Sequence, residues 1–373
     1  MTDLETGIAV GMLLAAKKGS EPTPEPETDE DFEAFKNSAD PSENQTIFTV
    51  YADINTPYNI ATLTATCNVI SGATAYLNID WGDGTSETFD LTTDPQTSVQ
   101  INHTYSSTGN FILTVTSTNL EYCDFWQLTS VANSIFWRTA KYGEKIHAEK
   151  YSQGIGTLPL TDKLRFVKIP NDTDFSAGSF FKNCYSLSNV IYNGDNLTSI
   201  PSYMFYNCNC LKFDDWDFSE VTGIDEYAFY NCVNLTSISI PLCERVGNYA
   251  FQNTFLESVK LPVCTTLGTY VFNSCRMLKS ANIPKCQTIP NYAFNGCANL
   301  MSISIPKCES VGNNAFTACR FTEINIPLCT SVGNYGFNGC YYLKNTTFAD
   351  GCTFGTNVFN ACRSLFPKPD GTF

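Results

Sequence analysis

The chain has 373 residues, 43% of them hydrophobic and 13% aromatic, and its formal net charge is −15. This acidity argues against a protein that grips nucleic acid or an anionic lipid surface, because both need clustered Lys and Arg. The two histidines, His103 and His147, are too few for a metal site built on several imidazoles and for most acid/base sites. We therefore predict that the chain is not an enzyme, needs no cofactor or metal, and has no nucleic-acid partner.

Residues 1–18 contain apolar side chains at helical spacing, at Leu4, Ile8 and Met12. A helix of this length is marginal in water, so we expect it to dock on a partner or on its own copies, the other interpretation being a frayed terminus. Acidic residues precede the apolar run and lysines follow it, which reverses the order of a signal peptide. No segment reaches the ~20 apolar residues of a membrane span, and we predict a product of the cytoplasm.

Residues 19–46 contain nine acidic residues, four prolines and one lysine. Like charges repel and proline keeps the backbone extended, so this segment is predicted to be a tether.

The pattern changes to alternating apolar and polar residues at about residue 47, with five or six short strands up to residue 118. Two motifs stand out, Trp81-Gly82-Asp83-Gly84-Thr85 and His103-Thr104-Tyr105, the second followed by Gly109 and Phe111. On these residues the segment resembles the PKD domain family. The resemblance implies an immunoglobulin-like β-sandwich that acts as a spacer or an adhesion module.

The carboxylates of Asp80 and Asp83 have two interpretations. Asp-Gly is a tight-turn dipeptide, because Asp bonds its own backbone and Gly adopts positive φ without cost. The same two carboxylates could instead hold a calcium ion, which needs six to eight oxygen ligands. His103 is predicted to be an ordinary strand residue.

The second half of the chain is a repeat array. A Phe-centred motif recurs nine times at intervals of 21 to 24 residues, and a Cys follows the Phe by three residues in eight copies. The nine are Phe181, Phe205, Phe229, Phe251, Phe272, Phe294, Phe316, Phe337 and Phe359, with Thr254 in place of Cys in the fourth copy. This period lies in the leucine-rich-repeat range, so we predict a solenoid over residues 165–373.

Each copy continues with an alternating strand that ends in Pro, such as LMSISIP from Leu300, followed by a second Cys column. This Ile-Pro-x-Cys and Ala-Phe-x-x-Cys pattern resembles the BspA-like leucine-rich repeats, also called the Treponema pallidum type. The resemblance implies a surface or host-interaction protein, since many members are adhesins.

The 17 cysteines are predicted to be reduced residues that pack as small hydrophobes in inward columns. Disulfides and a metal site are the alternatives. Asn after the Phe is predicted to serve the turn.

Outward strand positions form two polar rows that could bind a glycan or a protein, or could be plain surface. The row chosen as the candidate site is Ser239, Lys260, Asn282, Ser304, Asn325 and Thr347. In the irregular repeat LKFDDWD, Phe213 and Trp216 are predicted to be exposed interface aromatics, unless a change of register buries them.

The predicted fold is mostly β: helix 1–18, linker 19–46, sandwich 47–118, connector and repeat cap 119–164, and solenoid 165–373. Residues 142–150 within the connector are predicted to be helical.

The first residues resemble the starts of phage structural proteins. The predicted function is that of a phage virion fibre or decoration protein that docks on capsid or tail proteins and binds a host protein or glycan; a homotrimer would suit a fibre. The alternative is a bacterial cell-surface adhesin.

Overall fold

The structure is a computed structural model. It describes residues 45–52, 59–69, 72–92, 96–107, 109–118, 120–131, 135–139, 164–168, 180–192, 197–212 and 216–371. Every regular element within these ranges is a β-strand. The predicted docking helix with Leu4, Ile8 and Met12, most of the acidic tether, and the predicted helix over 142–150 lie outside the described residues.

The first eight strands form two antiparallel sheets. The strands are β1 (Gln45–Ala52), β2 (Asn59–Val69), β3 (Tyr76–Asp80), β4 (Ser86–Asp90), β5 (Gln96–Thr104), β6 (Gly109–Thr118), β7 (Leu120–Val131) and β8 (Ile135–Thr139). One sheet has the order β8-β1-β6-β3-β4 and the other the order β5-β2-β7. The period-2 pattern therefore predicted strands β1, β2, β3, β5 and β6 where the structure has them.

Aromatic stacking joins these two sheets. Trp81, directly after β3, stacks on His103 of β5 with ring centroids 4.6 Å apart. The Tyr105 hydroxyl donates to the Trp81 carbonyl oxygen at 3.2 Å, and both side chains are buried. Leu77 and Ile79 of β3 are also fully buried, as expected for alternate residues of a strand with one face on a core.

Residues 120–139 differ from the prediction of a connector and repeat cap. Strand β7 pairs with β2, and β8 pairs with β1, so both belong to the antiparallel sheets. The aromatics of this segment suggested a cap, but aromatic residues also favour strands. Strand β9 (Leu164–Lys168) then pairs in parallel with β8 and with β10 (Asn189–Ile191).

The repeat array contains two ladders of very short parallel strands. The first comprises β11 (Ser199–Ile200), β12 (Gly223–Ile224), β13 (Arg245–Val246), β15 (Thr266–Leu267), β17 (Thr288–Ile289), β19 (Ser310–Val311), β21 (Ser331–Val332) and β23 (Thr353–Phe354). The second comprises β14 (Ser258–Lys260), β16 (Ser280–Asn282), β18 (Ser302–Ser304), β20 (Glu323–Asn325) and β22 (Asn345–Thr347). Except between β15 and β17 and between β18 and β20, neighbouring strands pair each residue with its equivalent one repeat later, for example Ser280 with Ser302, which is the register of a solenoid.

The nine repeat phenylalanines form one continuous buried stack. Neighbouring ring centroids are 5.2 to 5.6 Å apart along the column, and every ring is at most 1% exposed. These distances fall in the range that favours offset stacked aromatic pairs. The Phe that marks each repeat in the sequence is therefore the centre of each coil.

The cysteines that follow these phenylalanines hydrogen-bond from coil to coil. Seven of their thiols, from Cys208 to Cys362, donate to the carbonyl oxygen of the Phe one coil earlier, as Cys297 does to Phe272, over distances of 3.0 to 3.3 Å. The 15 cysteines from Cys184 to Cys362 are free. Burial raises the pKa of Cys275 to about 12, so this thiol keeps the proton that it donates.

A left-handed residue follows each Phe by two positions, where the turn closes. The residues with positive φ here include Asn183, Asn207, Asn231 and Asn253. Asn tolerates this conformation better than most residues do, which confirms the prediction that asparagine serves the turn. The amides also bond along the column, with Asn207 Nδ2 donating to Asn183 Oδ1 at 2.9 Å.

Glycine is required where successive coils approach most closely. A Cβ on Gly333 would lie 2.7 Å from the backbone nitrogen of Asn313 in the preceding coil. Backbone atoms there cannot give way as a flexible side chain can, so the coil would have to shift.

We expect Gly333→Ala to lower the stability of the array by about 1–3 kcal/mol, the usual cost of overpacking. The measurement is the midpoint of urea unfolding followed by circular dichroism. Gly223→Ala is the matched control, because its added Cβ meets only the guanidinium end of Arg245. Equal midpoints for the two variants would contradict the close-approach argument.

Candidate binding surfaces of the repeat array

The strand-side face of the array carries the two predicted polar rows. In β14 the middle residue Val259 is buried, while Ser258 and Lys260 on either side of it are exposed. The same alternation leaves every member of the candidate row exposed, namely Ser239, Lys260, Asn282, Ser304, Asn325 and Thr347. The sequence pattern thus predicted the inward and outward positions correctly.

Strand pairing brings most of this row together. Register places Lys260 beside Asn282 and Asn282 beside Ser304, and separately places Asn325 beside Thr347. Ser239 precedes the first paired strand of this ladder. Adjacent parallel strands lie about 4.8 Å apart, so the row presents amide and hydroxyl groups at regular intervals. Chemically this surface can offer several hydrogen bonds to one extended polar ligand.

The prediction that Trp216 is an exposed interface aromatic is wrong. Trp216 is only 7% exposed, and its ring packs edge-on against Phe205 and stacks on Phe218 at 5.1 Å. The Trp of the irregular repeat thus points into the core. This burial agrees with the alternative prediction, in which a change of register buries the aromatic side chains. Phe213 lies outside the described residues.

A second surface of the array was not recognised from the sequence: a column of stacked tyrosines, each two residues before the Phe of its repeat. Tyr203, Tyr227, Tyr249, Tyr270 and Tyr292 stack in order with ring centroids 4.5 to 4.9 Å apart and planes within 10° of parallel. Each of the five is partly exposed and has a φ between 57° and 60°. The recurrence of Tyr at this one position is the signal that could have revealed the column, which we call the tyrosine ladder.

The tyrosine ladder presents partly exposed phenol side chains to solvent. Burial, together with the neighbouring Glu226 carboxylate, raises the pKa of Tyr203. Burial likewise raises the pKa of Tyr270 beside its two stacked neighbours. At one end, the Lys182 ammonium lies 4.7 Å from the Tyr203 ring centroid, a cation–π contact that covers the outer face of that ring.

The sequence of the array matches the family model described as BspA type leucine-rich repeat region (6 copies), over residues 160–279 and 265–366. The matched segments cover more than half of the chain. The chain belongs to the BspA-type leucine-rich repeat family. The resemblance predicted from the Ile-Pro-x-Cys and Ala-Phe-x-x-Cys pattern is thereby confirmed for the array.

Several solved structures are similar to this BspA-type chain. A leucine-rich repeat protein from Bacteroides ovatus is 16% identical, with 66% of this chain and 77% of that chain covered and a TM-score of 0.36. The leucine-rich repeat protein of T. pallidum is 20% identical over 50% of this chain and 82% of its own, with a TM-score of 0.37. A leucine rich cell surface protein from Faecalibacterium prausnitzii is 19% identical over 54% and 78%, with a TM-score of 0.27. At these scores the family assignment rests on the sequence match alone.

No curated protein matches this BspA-type chain. In the part of the chain that the structure describes, no helix has the length and apolar character needed to cross a bilayer. The same part contains no group of three or more His, Cys, Asp or Glu side chains placed to hold a metal ion.

The two candidate calcium ligands in the antiparallel sheets instead organise the turn between β3 and β4. Asp80 Oδ1 accepts from the backbone N–H of Gly82 at 2.9 Å. Asp83 Oδ1 accepts from both the backbone N–H and the hydroxyl of Thr85, at 3.0 and 2.6 Å. The second oxygen of Asp83 lies 2.8 Å from Nε2 of His103, so the structure favours the turn interpretation.

His103 is thus a packed residue with a specific role, since it contacts both the Trp81 ring and the Asp83 carboxylate. Burial acts to raise the pKa of Asp83, but the hydrogen bonds from Thr85 and His103 outweigh it and lower the pKa below its ordinary value. A lowered carboxyl pKa in the folded state stabilises the fold above the unfolded pKa of about 3.9, and this stabilisation is lost as the pH falls through the folded value.

We expect Asp83→Asn to lower the thermal midpoint of the antiparallel-sheet region near pH 6, with an effect that shrinks as the pH falls below about 4. The measurement is thermal unfolding followed by tryptophan fluorescence between pH 6 and pH 3. The exposed Glu220→Gln removes one charge without this contact and serves as the control. A difference between Asp83→Asn and the wild type that stays constant with pH would contradict the role of the carboxylate.

Proposed function

We propose that this chain is a non-enzymatic adhesion protein that presents its repeat array to a protein or glycan on another surface. The observation that carries the proposal is the exposed strand-side row from Ser239 to Thr347, which repeats hydrogen-bonding groups along a regularly paired core. The periodic spacing of these groups suits an extended polar ligand that binds across several coils at once. No charge dominates the row, in which Lys260 is the one ionised side chain.

The remaining segments are proposed to hold the array away from its anchor. Residues 1–18, through Leu4, Ile8 and Met12, would dock on a partner, and residues 19–46 would act as a charged tether. The antiparallel sheets that follow would be a PKD-type immunoglobulin-like spacer. The Trp81–His103 stack and the Asp83 turn, built from the residues of the two PKD-like motifs, support this last assignment.

We propose that the chain is located in a phage virion, as a fibre or decoration subunit. Capsid or tail proteins would be its docking partners, and a homotrimer would suit a fibre. The resemblance of the first residues to phage structural proteins supports this location. A bacterial cell surface is the second location, supported by membership of a family in which adhesins are common. The function of the array is the same in both.

The location is tested by immunogold electron microscopy with antibody to the array, on a culture that contains both cells and released particles. We expect gold on the particles, and we expect deletion of residues 1–18 to remove it. Gold confined to cell envelopes would overturn the virion location and establish the second one.

Adhesion through the strand-side face is tested with the triple variant Asn282→Glu, Ser304→Glu and Asn325→Glu. We expect at least about a tenfold loss of binding to host cells, since unpaired carboxylates would be buried at the contact. Flow cytometry with the labelled full-length chain measures the binding.

The control variant is Thr266→Glu with Thr288→Glu, which adds charge at exposed positions of the other strand ladder. Loss of binding in the control to the same extent would argue against a specific strand-side face. Full binding by the triple variant would exclude this face.

A further inference from the structure

The column of tyrosines is interrupted after Tyr292, the last ring of the tyrosine ladder. The position that holds Tyr292 in one coil and Tyr335 two coils later holds Asn314 in the coil between them. The three residues share the same left-handed backbone, with φ of 58°, 54° and 58°. The backbone site for a ring is therefore present at Asn314, while the ring is absent.

The step of the column at Asn314 has the height that a single ring occupies elsewhere in the tyrosine ladder. The Cα atoms of Tyr292 and Tyr335 are two coils apart, which is about 9.6 Å at ~4.8 Å for each coil. Within the ladder, a tyrosine ring occupies one step of 4.5 to 4.9 Å. A flat six-membered ring placed over Asn314 would thus stand where a tyrosine stands in the preceding coils. We call this space the Asn314 notch.

Hydrogen bonds hold the groups around the notch. The Thr317 hydroxyl lies 3.3 Å from Asn314 Oδ1 and 3.0 Å from the backbone oxygen of Tyr335. The Tyr335 hydroxyl accepts from Asn357 Nδ2 on its other side at 3.1 Å, so the ring is anchored away from Asn314. Tyr335 is 37% exposed, and it has no stacked aromatic neighbour in the described part of the array.

We propose that the Asn314 notch binds one neutral pyranose ring of a glycan. An aromatic face carries negative charge density that attracts the weakly positive C–H groups on the faces of a sugar. The hydroxyl groups at the rim of the same sugar need donors and acceptors, which the Asn314 amide and the Thr317 hydroxyl supply. Apolar walls with a few fixed polar groups are the usual composition of a small-ligand site.

The other rungs of the ladder cannot bind a sugar in this way, because their faces cover one another at 4.5 to 4.9 Å. Of the two ligand classes in the proposed function, a protein or a glycan, the notch therefore selects a glycan. This inference rests on that proposed function. The notch residues Tyr292, Asn314, Thr317 and Tyr335 carry no charge, so they favour a neutral sugar over a sulfated or phosphorylated one.

Asn314→Tyr is the decisive variant, because it fills the notch with the residue that six other coils carry at the same backbone site. We expect the variant to unfold at the same temperature as the wild type or higher, and to lose at least about tenfold in glycan affinity. Tyr335→Ser, which removes one wall, is expected to reduce the affinity similarly. Asn234→Tyr makes the same chemical change at an exposed position away from the ladder and should bind like the wild type.

Binding is measured with the full-length chain on an array of neutral oligosaccharides, followed by titration of each variant with the oligosaccharide that gives the strongest signal. The proposal that the notch binds a sugar would be overturned if the wild type bound none of the oligosaccharides, or if Asn314→Tyr bound as well as the wild type. Cell adhesion that persists in either of those outcomes would leave the proposed function intact, with a protein ligand or the strand-side face responsible. If the wild-type chain does not bind to cells at all, the proposed function is refuted.

Discussion

The pairing of each coil with its equivalent one repeat later is the constraint on which the array depends. Because this pairing holds equivalent residues about one strand spacing apart, every position becomes a column in which a side chain must stack on its own copy. Phenylalanine satisfies this requirement inside the array, with rings 5.2 to 5.6 Å apart. Asparagine satisfies it at the turn, where one amide donates to the next.

The same constraint explains why so many cysteines occur without forming disulfides in the array. A buried column next to the phenylalanines needs a small side chain that can also donate to a backbone carbonyl of the neighbouring coil. Cysteine meets both needs, as Cys319 shows by donating to Phe294 at 3.3 Å. Thr254, the exception, donates to the carbonyl oxygen of Phe251 within its own coil, and the same oxygen also accepts from Cys275 of the next coil.

Periodicity made the core of the array predictable and its surface only partly so. The 22-residue spacing of Phe294 and Phe316 and the alternation in LMSISIP are local signals, and they determined the coil, the strands and the outward row. The burial of Trp216 was not predictable, since it depends on rings in neighbouring repeats rather than on its own. Strands β7 and β8 were also missed, because their partners β2 and β1 lie about 50 to 90 residues away and local composition cannot reveal such pairing.

The tyrosine ladder shows how a regular scaffold acquires a specific site. In a complete column the faces of the tyrosine rings cover one another. A perfect repeat therefore offers a partner only the ring edges and the hydroxyl groups. A single departure such as Asn314 opens two faces without disturbing the backbone, because Asn adopts the same left-handed conformation as Tyr at this position. In an array held together by repetition, the positions that break a surface column are therefore where binding chemistry can differ from one coil to the next.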